Sequence, residues 1–294
     1  MRIALLGPYG QLGTDIQHVA AARDGFEIVP VDRSVLDVAK PERIPDALRA
    51  VEFDALVNCT SYHRTDEAEG NADLAFAVNA FAVKALAQIC ADRQARFVHI
   101  STDYVFGAAQ TVSAERSPLT ESDCIAPLNV YGASKAMGES LALMAHDDTF
   151  ILRVASLFGI AGASGKGGNF VETMIRVGRE RGQLSVVDDV RMSPTATANV
   201  AEHLVELLMR ESPPGLYHTV NTGDATWYEF AREIIDQAGI AATVDPCTSA
   251  QYPTKAQRPA YSVLSNAKLV NAIGPLADWR EALNRYLRAK GHIS

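Results

Sequence analysis

Arg2-Ile3-Ala4-Leu5-Leu6-Gly7-Pro8-Tyr9-Gly10-Gln11-Leu12-Gly13 opens the chain. The first five residues read as a short buried strand, and an apolar-periodic helix follows the glycines. Glycines three apart permit a tight turn. They also let backbone approach a pyrophosphate seated on the N–H groups and positive dipole end of that helix. The spacing is G-x-x-G-x-x-G rather than G-x-G-x-x-G, so the motif taken alone leaves an ordinary glycine-rich turn open. A second strand, Phe26 to Val31, ends in Asp32-Arg33. A carboxylate there can accept both ribose hydroxyls of an adenosine, whereas an arginine beside it can meet a 2′-phosphate, so NADPH and NADH both remain open.

Asp54 to Asn58 and Arg96 to Ser101 read as further buried strands, each preceded by a helical stretch. Such alternation implies a parallel sheet with helices on both faces. Thr102-Asp103-Tyr104-Val105-Phe106-Gly107 follows at the carboxyl end of a strand, where ligands of open α/β sheets bind. Thr102 there can orient a carbonyl, or simply cap a turn. Asn129-Val130-Tyr131-Gly132-Ala133-Ser134-Lys135 sets a tyrosine four residues before a lysine at the start of a helix, so the two share one face. A phenol titrates near 10 (about that value in a free chain), and an ammonium beside it favours the phenolate. The pair is a candidate proton donor with its tuner; the plainer reading is a solvated helical face.

Taken together, Gly7-x-x-Gly10-x-x-Gly13, Ser101 to Phe106, Pro127 to Lys135, Gly168-Asn169-Phe170, Ser193-Pro194-Thr195 and Arg258-Pro259-Ala260-Tyr261-Ser262 resemble the dTDP-4-dehydrorhamnose reductases of the extended short-chain dehydrogenase/reductase superfamily. The resemblance spans nearly the whole chain. It implies an α/β fold with a Rossmann-type doubly wound parallel sheet and a smaller C-terminal substrate domain. Residues 1–160 would form the NAD(P)-binding domain with 188–220 returning to it, and 161–187 with 221–294 the substrate domain. It also implies reduction of the 4-keto group of a nucleotide-linked 6-deoxy sugar by NADPH or NADH. Thr102, Tyr131 and Lys135 would be catalytic. Gly7, Tyr9, Gly10, Gln11, Leu12, Asp32 and Arg33, with Tyr131 and Lys135, would bind the cofactor. Thr102, Asp103, Tyr104, Ser156, Asn169 and Arg258 would bind the sugar nucleotide.

Rival readings come from the same superfamily and from outside it. A 4,6-dehydratase usually carries Thr-Asp-Glu, and Tyr104 replaces that glutamate. An epimerase shares the Tyr-Lys pair. A regulatory subunit resembling the methionine adenosyltransferase β subunit keeps much of the motif set without catalysis. One departure bears on the substrate: where the family usually reads Thr-Ser-Trp, this chain has Val154-Ala155-Ser156, and Thr60 and His63 also differ from the family pattern. An aromatic wall at the sugar is missing.

The 294 residues are 48% hydrophobic, enough for one large core or two lobes, and carry a net charge of −8. That balance argues against a broad nucleic-acid surface, so an anionic sugar nucleotide must meet a local basic site, with Arg258, Lys255 and Lys166 as candidates. Cys59, Cys90, Cys124 and Cys247 form no C-x-x-C pair and read as buried or inert thiols, and the histidines show no metal-ligand spacing. His99 reads as a satisfied core imidazole; His63 is a substrate contact or a loop residue. Gly162 to Gly168 lacks the Ser or Thr and the glycine spacing of a P-loop and reads as a mobile loop or lid, with Asn169 capping the next helix. The acidic run Asp66 to Glu69 reads as a solvated helix start. No apolar run approaches membrane-spanning length, and a cytoplasmic protein with no membrane or metal partner is expected, a homodimer remaining open.

Overall fold

The protein is described by a computed structural model, which defines residues 1–107, 117–162 and 168–294. The first half runs β1 (Arg2–Leu6), α1 (Gln11–Ala21), β2 (Glu27–Val31), α2 (Ile44–Leu48), β3 (Ala55–Asn58), α3 (Thr65–Ala68), α4 (Ala72–Phe76), α5 (Ala82–Arg93), β4 (Arg96–Thr102), α6 (Val130–Ala145) and β5 (Thr149–Val154). The second half runs β6 (Leu157–Phe158), α7 (Phe170–Arg181), β7 (Gln183–Val187), β8 (Arg191–Met192), β9 (Thr195–Ala196), α8 (Thr197–Met209), β10 (Gly215–His218), β11 (Ala225–Thr226), α9 (Trp227–Gln237), β12 (Thr243–Cys247), α10 (Ala267–Ile273) and α11 (Trp279–Ala289).

Six strands form a parallel sheet in the order β10-β5-β4-β3-β1-β2. Its inner strands β3 and β5 are buried along their whole length, as expected where helices cover both faces. Alternation of side chains divides the core in two. Ile3, Leu5, Val57 and Leu152 face α1, α8 and α10, whereas Ala4, Leu6, Leu56 and Ile151 face α2, α5 and α6. This is the doubly wound Rossmann-type sheet anticipated above. A separate apolar cluster joins α7, α9 and α11 through Phe158, Ile175, Phe230, Trp279 and Leu283. The chain crosses back to the large sheet between these helices, because α8 packs on α1 and β10 extends the sheet beside β5. Asp15 of α1 and Thr197 of α8 are hydrogen-bonded at that contact.

Two features hold the start of α6 against the sheet. Ala77–Phe81, between α4 and α5, is a π-turn, and the buried Asn79 within it accepts hydrogen bonds from Tyr62 N (2.8 Å) and Ser61 Oγ (3.1 Å) while donating to Ser134 Oγ (3.0 Å). Gly138 lets α6 approach this turn, since a Cβ there would lie 2.1 Å from Asn79 O. The second feature is the ion pair between Glu139 and Arg153, whose side chains are 4% and 3% exposed. Arg153 Nη2 and Nε donate to the two carboxylate oxygens at 2.7 and 2.9 Å, Ser101 Oγ donates to Glu139 at 2.5 Å, and the guanidinium lies 4.9 Å from the Phe106 ring centre.

Three expectations need correction. Ala72–Arg93 is one continuous helical stretch of 22 residues, long and apolar enough by composition to cross a membrane, although 56% of its apolar window is buried. It escaped notice because Asn79 and Lys84 interrupt the apolar run, and its buried face packs on the sheet and α6. The acidic run is not simply solvated. Glu69 Oε1 accepts from Val130 N (2.8 Å) at the start of α6, and Asp66 pairs with Arg258. Cys124 is exposed rather than buried. Lys166 and the body of the expected lid fall outside the described residues.

Removing one partner of a buried ion pair strands the other charge. Glu139→Ala is therefore expected to lower stability by about 3–5 kcal/mol, and replacement of both Glu139 and Arg153 by methionine to cost much less. Urea unfolding of the two variants checks this; equal losses would show that the charge is not the operative term.

Candidate active site

The turn after β1 is built by glycine. Gly7 has a φ of 75°, Gly10 N donates to Gly7 O (3.2 Å), and a Cβ on Gly13 would lie 2.2 Å from Gly7 O, so α1 starts directly on the turn. Gly10 caps the helix without a side chain, leaving the first-turn amides of Gln11 and Leu12 for an external anion. Leu12 itself is buried in the core, so only its backbone is available, while Tyr9 is 70% exposed beside it. At the end of β2, Asp32 Oδ1 accepts from Ser34 N (2.8 Å) and Ser34 Oγ (2.5 Å), and these bonds hold its carboxyl below the usual range. The Arg33 side chain is 84% exposed and 3.6 Å from Asp37, a surface pair worth about 1 kcal/mol or less. These groups fit a dinucleotide: the turn amides suit its diphosphate, Asp32 suits ribose hydroxyls, and the exposed Arg33 suits a 2′-phosphate.

The second wall comes from the carboxyl end of β4 and the start of α6. Thr102 Oγ1 accepts from Tyr104 N (3.2 Å), so the turn-capping role exists, and the hydroxyl also donates to Asp103 (3.0 Å) and meets Tyr131. Asn129 caps α6 through Gly132 N (2.8 Å), which fixes Tyr131 in its first turn. The Tyr131 ring meets Tyr104 edge-on at 5.8 Å. Burial pushes the Tyr131 phenol up to about 12, against hydrogen bonding with Thr102 and Ser61, with Asp103 adding to the rise. Burial likewise lifts Asp103 to about 6, against hydrogen bonds from Ser262 and Thr102. Thr102, Asp103, Tyr104 and Tyr131 thus converge.

Lys135 departs from expectation. Its buried Nζ donates to Ile100 O (2.6 Å) and lies 2.9 Å from His99 Nε2, while Tyr131 meets Thr102 and Ser61. Burial pushes the amine down to about 7, opposed by Glu139 and Cys59. In this ligand-free arrangement the phenol is raised rather than lowered, because desolvation outweighs any help from the lysine.

The remaining candidates are scattered in role. Arg258 makes a two-pronged pair with Asp66 (2.8 and 3.2 Å) and bonds Tyr104, so its cation is shared before any phosphate arrives. Asp66 is held near its floor, at about 2, by Arg258 and by Ala256 N. Asn169 caps α7 through Glu172 N (3.1 Å) and donates to Gly159 O (3.0 Å) and Tyr286 Oη (3.1 Å); both amide hydrogens are engaged in structure. Ser156 sits at φ 44°, a left-handed conformation in which a bulky side chain would be strained. His63 Nδ1 lies 3.3 Å from Ser61 O. Ser193 Oγ accepts from Leu264 N, giving the Ser-Pro-Thr stretch a structural use. The reading from sequence missed Ser61, Asn58, Asn79 and Ser262, all polar residues whose partners lie far away along the chain.

The family described as the RmlD substrate binding domain matches residues 1–291. The chain is 35% identical over 286 residues to the dTDP-4-dehydrorhamnose reductase of Mycolicibacterium smegmatis, covering 96% of this chain and 84% of that one. It is 32% identical over 289 residues to the spore coat polysaccharide biosynthesis protein SpsK of Bacillus subtilis, covering 98% of each. The structure of the Bacillus anthracis dTDP-4-dehydrorhamnose reductase in complex with NADP superposes with a TM-score of 0.89 at 33% identity, over 98% of this chain and 99% of that one.

Between about pH 7 and pH 9 the unfolded lysine, which titrates at 10.5, keeps a proton that the folded Lys135 has lost. The unfolded state then binds more protons, so stability rises with pH across that window and is lost as pH falls toward 7. Cys59 and Cys90, pushed up to about 12 from 9.0, act in the opposite sense only above pH 9. The urea midpoint of the parent protein is expected to climb from pH 7 to 9 and that of Lys135→Met to stay level. A level profile in both would place Lys135 in ordinary solvent.

Proposed function

The chain belongs to the RmlD substrate binding domain family, and from that premise we propose that it is an NADPH-dependent reductase of the 4-keto group of a dTDP-linked 6-deoxy sugar. The leading substrate is dTDP-6-deoxy-L-lyxo-4-hexulose, reduced to dTDP-L-rhamnose. The observation that carries the reading is the meeting of Thr102 and Tyr131 at the carboxyl end of β4, beside an uncapped glycine turn and with Lys135 one helical turn along α6. We assign the lobe of α7, α9 and α11 as the substrate domain.

Bound NADPH supplies the hydride that adds to the ketone carbon. Thr102 Oγ1 turns its hydrogen from Asp103 to the carbonyl oxygen and orients it. Tyr131 Oη gives its proton to the oxygen as negative charge develops there, which a phenol held neutral near pH 7 can do. Lys135, once an ammonium, stabilises the phenolate left behind and donates to the ribose of the cofactor. Asp103 and Tyr104 line the sugar side, and Arg258 meets the diphosphate by exchanging Asp66 for it. A dehydratase needs a carboxylate base directly after Asp103, and Tyr104 occupies that position.

Purified protein incubated with NADPH and a panel of dTDP-4-keto-6-deoxyhexoses should consume reduced cofactor, with product stereochemistry identifying the sugar. Oxidation of NADPH by no member of the panel would abandon the reductase reading. Tyr131→Phe is expected to lower kcat by at least about 100-fold with little change in cofactor affinity. Near-parental turnover would remove Tyr131 from the proton transfer. Arg33→Ala should weaken NADPH by about tenfold or more and leave NADH unaffected, since the exposed guanidinium, only loosely paired with Asp37, is free to meet a 2′-phosphate that NADH lacks. Fluorescence titration with both cofactors decides it; equal weakening would deny Arg33 that role.

A further inference from the structure

Asn58, His99 and Lys135 form a buried line from β3 through β4 to α6, and its protonation is fixed from one end. Thr60 N donates to Asn58 Oδ1 (3.0 Å), as does Thr60 Oγ1 (2.5 Å). A backbone N–H is only a donor, so the carboxamide cannot be flipped, and Asn58 Nδ2 faces His99 Nδ1 at 3.2 Å as a donor. Nδ1 must accept. A neutral imidazole then carries its hydrogen on Nε2, which lies 2.9 Å from Lys135 Nζ. An ammonium has no lone pair to receive that hydrogen, whereas a neutral amine does, and the amine still has hydrogens for Ile100 O at 2.6 Å.

We propose that His99 is a positioning residue that holds Lys135 as a neutral amine in the ligand-free protein, so that cofactor binding draws Lys135 away from His99 and takes up one proton from solvent. Resting on the reductase reading, the balance is simple: Nζ gains the proton, no bond to carbon changes, and the ammonium so formed is the group that faces the ribose and the phenol. The other groups facing Lys135 agree. Glu139 on its own helix is already bound by Arg153 and Ser101, Cys59 from the loop after β3 is a neutral thiol, and Tyr131 one turn earlier is a neutral phenol. Burial pushes His99 well below its usual range, so it does not become a cation near neutrality.

Long-range proton–nitrogen NMR of the ligand-free protein with labelled histidine is expected to show His99 unprotonated at Nδ1 and protonated at Nε2; the opposite tautomer, or an imidazolium, overturns the proposal. Calorimetry of NADPH binding near pH 8 in buffers of different ionisation heat should show uptake of about one proton. In His99→Asn the new amide oxygen can serve Asn58, but no N–H reaches Lys135. Uptake should then fall to less than half, with the pH of half-maximal uptake rising by about one. Equal uptake in parent and variant overturns the proposal. Should His99→Asn not fold, the tautomer in the parent protein decides alone. Failure of the parent protein to bind NADPH would overturn the reductase reading instead, and the tautomer would still settle the role of His99.

Discussion

The buried pair of Glu139 and Arg153 is the constraint on which the site depends. Two charges taken out of water must satisfy each other almost completely, and here they do so across three elements at once: α6 supplies the carboxylate, β5 the guanidinium and β4 the Ser101 hydroxyl. Ser101 precedes Thr102 and Glu139 lies one turn beyond Lys135. The same bonds that neutralise the pair therefore fix the helix bearing Tyr131 and Lys135 against the strand bearing Thr102. An apolar contact of equal strength would tolerate a slide along the helix axis; a two-pronged ion pair with a third donor does not.

Much of the Rossmann half is legible in the sequence because its signals are local. Apolar runs of strand length, glycines after the first of them and an Asn before a Tyr-Lys helix each specify structure within a few residues, and the four strands read from sequence lie within one residue or so of β1, β2, β3 and β4. The two-residue strands β6, β8, β9 and β11 carry no periodicity and are set by tertiary contact, so nothing in their own sequence announces them. The site was legible in membership more than in arrangement. Thr102 and Tyr131 do meet, yet the lysine's partners come from β4, and Asn58 and Asn79 act through neighbours as many as 55 positions away. A polar residue within an apolar run was the available signal for Asn79 and for His99, and only the fold tells what such a residue holds.

Desolvation governs the electrostatics around that site. The phenol of Tyr131, the carboxyl of Asp103 and the thiol of Cys59 are all lifted, and the amine of Lys135 is lowered, so each moves toward its neutral form. Charge is kept at the rim, where Arg258 and Asp66 pair on a segment that also hydrogen-bonds through Ala256 N. On the proposed function, a diphosphate entering there would exchange one anion for another instead of creating a new ion pair, which favours recognition by shape and geometry over bulk attraction, as suits a chain of net charge −8.

The return of α8 and β10 to the large sheet sets the order in which a nascent chain can complete its core. Leu12 and Ile16 on α1 are covered by Val200, Leu204 and Leu208 on α8, which leave the ribosome roughly 190 residues later. At elongation speeds of roughly 5–20 residues per second that is a delay of roughly 10–40 s. During it, one face of the large sheet has its strands but not its cover of apolar side chains. The half of the fold that begins the chain thus waits for a late element to seal it, and its synthesis intermediate presents the kind of surface that holding chaperones capture.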